Sequence, residues 1–278
     1  MVISLITRQS VRVLWRLKVG LGLNCISNST TSPRQIHNKM RLIQFTWMDE
    51  NQRLGIDLQN GGDVVDLSAS GELLATDMVQ FIKGGQRNLD LAKEILASGQ
   101  HVVKRDQVHL LSPITNTEKV LCIGMNYIDH CTEQNVPVPT EPIIFNKFSS
   151  CIVGPTDNVV YPDLTEQLDW EVELTIVIGK SCKNVKESEA LDCVFGYTVA
   201  HDVSARDWQM NKNIYIWLSN KKLFLYARFM TLSPGDLILT GTPPGVGVFK
   251  KPQPIFLKRG DVVECEIDEI GTITNKIV

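Results

Sequence analysis

Ten residues near the middle of this chain, Asp169-Trp170-Glu171-Val172-Glu173-Leu174-Thr175-Ile176-Val177-Ile178, constrain its fold more than any others. Their Val, Ile, Thr and Trp content reads as a strand. Side chains alternate along a strand, so Glu171 and Glu173 share one face while Val172, Leu174, Ile176 and Ile178 take the other. Two carboxylates side by side repel unless a cation sits between them, and an all-oxygen set suits Mg²⁺, Mn²⁺ or Ca²⁺ better than zinc. An isolated Glu-x-Glu is more often an ordinary amphipathic strand with its carboxylates in water. A second acidic segment adds to the pattern. Ala200-His201-Asp202-Val203-Ser204-Ala205-Arg206-Asp207-Trp208-Gln209 ends an apolar run that starts at Val194. It offers Asp202 as a third oxygen ligand, with Arg206 close by as a carboxylate clamp. Spacing alone leaves both readings open.

Strand-like runs dominate from residue 120 onward, at 120–124, 142–145, 170–178, 194–200, 236–240 and 261–267. Ahead of them, 42–47, 53–58 and 64–67 read as short strands, with turn signals at Asp49-Glu50-Asn51 and Asn60-Gly61-Gly62. Asp77 reads as the cap of a helix carrying Phe81 and Ile82, and Leu89, Ala92, Ile95 and Leu96 fit a second helix that stops at Gly99. The expected fold class is α+β, mostly β. A small α+β lead domain over residues 40–111 precedes a joint near 113–118 and a larger domain over 117–278. With 43% hydrophobic and 21% charged residues the chain has material for a sizeable core, which excludes disordered and fibrous classes. The 28 basic residues against 31 acidic ones leave a net charge of -3, with no basic excess pointing to nucleic acid. The seven cysteines show no Cys-x-x-Cys pair, so they signal neither a zinc cage nor a disulfide framework and read as reduced intracellular thiols.

Charge is unevenly placed. Residues 1–48 contain no Asp or Glu but hold Arg8, Arg12, Arg16, Lys18, Arg34, Lys39 and Arg41. Arg8, Arg12 and Arg16 repeat every four residues and would share one helical face, with Val13, Leu14, Leu17 and Leu21 opposite. A Ser/Thr-containing tail follows. This is the pattern of a mitochondrial transit peptide, expected over residues 1–39, with the matrix as destination. Arg16 and Lys18 interrupt any apolar run long enough to span a bilayer.

Four ordered motifs then carry a resemblance. They are Gly124-Met125-Asn126-Tyr127-Ile128-Asp129-His130, the Glu171-Val172-Glu173 pair, the string from Asp202 to Asp207, and Thr240-Gly241-Thr242-Pro243-Pro244-Gly245-Val246-Gly247. Together they resemble the fumarylacetoacetate hydrolase family from about residue 120 to the end, and the lead domain and leader are most similar to its mitochondrial branch. The resemblance implies a mixed β-sandwich or roll, a homodimer, and Mg²⁺ or Mn²⁺ held by Glu171, Glu173 and Asp202. It implies a catalytic pair of His130 and Glu133, three apart on one side of a helix turn, with Lys221 as a further catalytic residue. Lys147, Arg206, Gln209 and Thr242 match positions that line the substrate pocket. The chemistry implied is a metal-stabilised enolate of a small 2-oxoacid. Oxaloacetate keto-enol tautomerism is the favoured reaction; hydrolysis or decarboxylation of a β-diketo acid is the alternative.

One departure from the family is large. After Trp217-Leu218-Ser219-Asn220-Lys221 the family runs on for several tens of residues before the equivalent of Ser233-Pro234-Gly235-Asp236, whereas here only residues 222–232 fill the gap. Missing strands leave neighbouring edges unpaired. A catalytically impaired, metal-binding isoform or paralogue is therefore a further alternative.

Overall fold

The computed structural model describes residues 12–17, 40–58, 62–141, 143–211, 218–219 and 230–278. Lys221 and most of the short stretch that follows it lie outside the described residues, as do Arg8, Leu21 and Cys25.

The lead segment builds a five-stranded antiparallel sheet from β2 (Arg41–Trp47), β3 (Gln52–Asp57), β4 (Val64–Asp66), β5 (Val102–Val103) and β6 (Val108–Leu110), in the order β5-β4-β3-β2-β6. α1 (Met78–Lys83) and α2 (Gly85–Ser98) connect β4 to β5. Asp77 caps α1 as expected, accepting the Gln80 N–H at 2.8 Å, and α2 ends at Gly99. Phe45, Leu54, Ile56, Phe81 and Ile82 are almost wholly buried here. Leu54, Ile56, Phe81 and Ile82 share one apolar cluster with Val120, Cys122, Val177, Leu237 and Leu239 of the larger sheet, so the two sheets are packed through a continuous core.

The larger sheet holds β7 (Val120–Gly124), β8 (Ile143–Lys147), β10 (Val172–Ile178), β11 (Val194–His201), β13 (Leu218–Ser219) and β14 (Leu237–Leu239), in the order β11-β10-β14-β7-β8-β13. β10 is antiparallel to both β11 and β14, while β14 and β7 are parallel. The end of the sheet at which β10 begins is therefore the end at which β7, β11 and β14 finish. Two short helices open from that end, α3 (Ile128–Glu133) after β7 and α4 (Arg206–Asn211) after β11. A two-stranded pairing of β9 (Leu168–Asp169) with β12 (Ser204–Ala205) sets Ser204 opposite Asp169. It places the start of α4 beside the start of β10.

A third sheet has the order β1-β15-β16, from β1 (Arg12–Leu17), β15 (Val262–Ile267) and β16 (Gly271–Lys276). The mostly β, α+β class expected from the sequence is what the chain forms. One expectation is corrected: residues 12–17 are not helical but pair in parallel with β15, Arg12 opposite Val262 through Leu17 opposite Ile267. In the sequence Arg-Val-Leu-Trp-Arg-Leu, Val13, Trp15 and Leu17 recur at every second position, a period that suits a strand as well as the arginine repeat suits a helix. Backbone pairing to the edge of β15 decides between them. Among the described residues no helix is long and apolar enough to cross a membrane.

Candidate active site

Glu171 lies just ahead of β10, Glu173 is its second residue, and Asp202 follows β11. Register brings them together: Glu173 is opposite Ala200, Val172 is opposite His201, and the Asp202 N–H donates to Glu171 O at 2.8 Å. Each carboxylate offers an oxygen within 4.8 Å of the other two, and all three side chains are buried. The amphipathic-strand alternative, with glutamates in water, is thereby excluded.

Two cations flank the triad. Lys147, at the end of β8, contacts Asp202 and donates to Val203 O at 3.1 Å. Arg206, only 3% exposed, sets Nη2 at 2.6 Å from Glu171 Oε1, Nε at 2.8 Å from Asp169 Oδ2 and Nη1 at 2.9 Å from Gln209 Oε1. Each of its three nitrogens stands beside a protein oxygen, an arrangement that suits a carboxylate clamp. Thr242 is buried and donates to Val172 O at 3.3 Å.

The arrangement fits a divalent cation. Asp169, Glu171, Glu173 and Asp202 carry four negative charges against the two positive charges of Lys147 and Arg206, which leaves a surplus of two. Both Asp202 oxygens are sealed from solvent and, apart from the Lys147 ion pair, accept no hydrogen bond. Burial raises the Glu171 carboxyl to about 7 although Arg206 opposes it, with Asp202 adding to the rise. Burial, then Asp202 and Glu171, push Glu173 well above the ordinary carboxylate range. Buried carboxylates in that state take up either protons or a cation.

The two residues expected to form an acid–base pair, His130 and Glu133, sit on α3. His130 is buried, Glu133 is half-buried, and Glu133 Oε2 lies 3.7 Å from His130 Nδ1, beyond hydrogen-bond reach. The Glu133 carboxylate instead accepts the Gly245 N–H at 2.9 Å. Phe249 packs edge-on to the His130 ring, with centroids 6.1 Å apart. Burial lowers the His130 pKa below the usual imidazole value, with Glu133 opposing. The imidazole is the neutral, basic form near neutrality.

The loop after β14 joins the two halves. The Gly241 N–H donates to Glu173 Oε2 at 2.6 Å. Gly241 has φ of 91°, and a Cβ there would stand 2.0 Å from Asn126 Oδ1, so only glycine fits. Asn126 in turn donates to Thr240 O at 2.5 Å, which ties the segment between β7 and α3 to this loop. These glycines serve a tightly packed loop whose amides hold carboxylates. Sequence reading used Glu171 and Glu173 but passed over Asp169, although the same two-residue alternation places all three on one face.

The family described as "Fumarylacetoacetate (FAA) hydrolase C-terminal" matches residues 119–226 and 215–278. "Oxaloacetate tautomerase fahd2, mitochondrial" of Xenopus laevis is 46% identical, with 98% of this chain and 99% of that protein covered. The alignment runs over 322 residues while this chain has 278, so at least 44 of its positions stand opposite gaps in this chain. "Oxaloacetate tautomerase FAHD2A, mitochondrial" of Homo sapiens is 44% identical, over 88% of this chain and 94% of that protein. Among solved structures, "Fumarylacetoacetate hydrolase (EaFAH) from psychrophilic Exiguobacterium antarcticum" superposes with a TM-score of 0.69 at 29% identity, covering 86% of this chain and 99% of that one. The two family matches meet at residues 215–226, where the sequence runs short.

Proposed function

The chain belongs to the fumarylacetoacetate hydrolase family, and on that premise we propose that it is an oxaloacetate keto-enol tautomerase dependent on Mg²⁺ or Mn²⁺. The observation that carries the reading is the convergence of Glu171, Glu173 and Asp202 with the His130–Glu133 pair around the 241–249 loop. A divalent ion held by the three carboxylates supplies, when bound, the positive charge that polarises a 2-oxo group.

Keto–enol exchange moves one proton between C3 and the 2-oxo oxygen and breaks no carbon–carbon bond. The chain must therefore supply a proton carrier and a place for the two anionic ends. His130, kept neutral by burial, takes the C3 proton at Nε2, since Nδ1 faces Glu133, and delivers it to the 2-oxo oxygen, the reverse transfer carrying the enol back to the keto form. Glu133 then stabilises the charge that the ring gains. Lys147, Thr242 and Gln209 line the space for substrate oxygens, and Arg206 fixes Glu171 and Gln209 from behind. Lys221, beyond the described residues, keeps the role of a further catalytic residue that the family resemblance implies.

Residues 40–111 form the lead domain of this assignment and 117–278 the catalytic one. Relatives named mitochondrial and the acid-free leader support import into the matrix. A homodimer follows from the family resemblance. A second reading, an impaired metal-binding isoform, is favoured by the gap of at least 44 positions.

The test is the decay of enol-oxaloacetate absorbance. Acceleration that EDTA removes and Mn²⁺ or Mg²⁺ restores is expected. Metal-independent acceleration overturns the mechanism. Cleavage products in place of keto-oxaloacetate would turn the assignment to the hydrolase or decarboxylase.

A further inference from the structure

Asp169 is wholly buried and carries a charge that no step above uses. Its carboxylate accepts four hydrogen bonds. Oδ1 takes the Trp170 N–H at 2.8 Å and the Gly247 N–H at 2.7 Å; Oδ2 takes the Val248 N–H at 3.0 Å and Arg206 Nε at 2.8 Å. Four donors fill the acceptor sites of a carboxylate. Asp169 therefore has nothing left for a cation, in contrast to Asp202, whose oxygens are met only by the Lys147 ion pair.

Where those donors lead is the point. Arg206 continues to Glu171 at 2.6 Å. Gly247 and Val248 begin a 3₁₀ turn, Gly247–Phe249, in the loop whose Gly245 N–H holds Glu133 and whose Phe249 ring packs on His130. At Gly247 a Cβ would stand 2.6 Å from Asp169 Oδ1 and 2.1 Å from Ile255 O, so loop and carboxylate interlock with no slack. One buried group thus faces both halves of the site.

We infer that Asp169 is a positioning residue that couples the carboxylate triad to the acid–base pair, setting Glu171 through Arg206 and the Glu133–His130 loop through the Gly247 and Val248 amides. The inference rests on the assignment of those residues to the proposed site. Asp169→Asn keeps the shape of the side chain but removes its charge and turns one acceptor into a donor, facing either Arg206 and Val248 or Gly247 and Trp170.

In the full chain, Asp169→Asn is expected to weaken Mn²⁺ binding in calorimetry by about tenfold or more, the usual scale for losing a group that orients a metal ligand. It is also expected to shift the His130 ring resonance in NMR of the metal-free protein. A role in stability alone would lower the melting temperature and leave both readouts at their wild-type values; that result overturns the inference. Neither readout needs turnover. A wild-type chain inactive on enol-oxaloacetate would sink the tautomerase reading and leave the coupling standing. Should Asp169→Asn fail to fold, Val248→Pro removes one loop N–H and keeps both Asp169 and Arg206. The His130 resonance then moves while Mn²⁺ affinity stays within about twofold, and an unmoved resonance overturns the inference.

Discussion

At the scale of single residues, the decisive quantity is the cost of holding carboxylates together out of water. Exposed ion pairs contribute little to stability, but a buried charge without a partner is expensive. Glu173, only 1% exposed, accepts the Gly241 N–H, while Lys147 pairs with Asp202 and Arg206 with Glu171. Glu173→Gln removes one of the two surplus charges and one oxygen ligand, and calorimetry is expected to show Mn²⁺ binding lost. Because metal-free Glu173 already favours its uncharged form, the uncharged glutamine is expected to leave the metal-free variant melting no lower than the wild type; unchanged Mn²⁺ affinity would count against the triad as the metal site. His130 sets the expected pH dependence. Its pKa lies below 6.5 because burial disfavours the imidazolium, so the neutral base persists through pH 7 and is lost only as pH falls through the lowered value. At saturating Mn²⁺, kcat/KM is expected to stay level from pH 8 to about 6.5 and to fall on the acid side. His130→Ala is expected to remove that limb and to lower kcat by about 10²-fold, the usual scale for one acid–base group.

At the scale of elements, legibility tracked how many turns of a pattern each segment contained. The run from Glu171 through β10 sets two glutamates in phase two residues apart, so the face they share was readable before any contact was known. α1 was readable from its Asp77 cap, since Asp, Ser, Thr and Asn at that position satisfy a free amide of the first turn. β5, β9, β12 and β13 are two residues long, too short for any period, and exist only because a partner strand lies beside them. The strand at residues 12–17 failed for a different reason: its side chains fit both periods, and only the long-range pairing with β15 distinguishes them. At the site, the convergence of Glu171 and Glu173 was legible because the two are in phase, and Asp202 joins them through the register of β10 and β11. The clamp role of Arg206 was legible only as proximity, and the amides of Gly241, Gly245, Gly247 and Val248 were not legible at all, because backbone donors leave no trace in residue type. Those amides make the loop after β14 the element most sensitive to small changes. Gly241→Ala places a methyl group 2.0 Å from Asn126 Oδ1 at φ of 91°, which displaces the amide that holds Glu173. Loss of more than about tenfold in Mn²⁺ affinity is expected in calorimetry, and a variant that binds as the wild type does would show that the loop yields without moving the ligand.

At the scale of the molecule, the missing positions decide what the chain can do with a well-built site. Glu171, Glu173, Asp202, Arg206, His130 and Glu133 all lie outside residues 222–232. Among the described residues β11 is the outermost strand on its side of the larger sheet. It is eight residues long, Val-Phe-Gly-Tyr-Thr-Val-Ala-His, without Lys, Glu or Pro, and Tyr197 at its middle is 40% exposed. Protein sheet edges are ordinarily blunted by charge, Pro or a covering segment, because an open edge templates pairing with another chain. The relatives have at least 44 further positions with which to cover surfaces that this chain leaves short. Two effects are thereby separated. If the gap costs only edge protection, Tyr197→Lys is expected to raise the soluble, non-aggregated fraction in light scattering without changing the metal-dependent rate per folded molecule, since Tyr197 stands opposite Ile176, five residues before Asp202. If the gap costs pocket closure, that substitution leaves the rate low, and only a chain carrying the relatives' intervening residues after Lys221 recovers it. Equal rates in the short and lengthened chains, measured at equal concentrations of Mn²⁺-loaded protein, would mean that the site turns over without the missing wall and would remove the case for an impaired isoform.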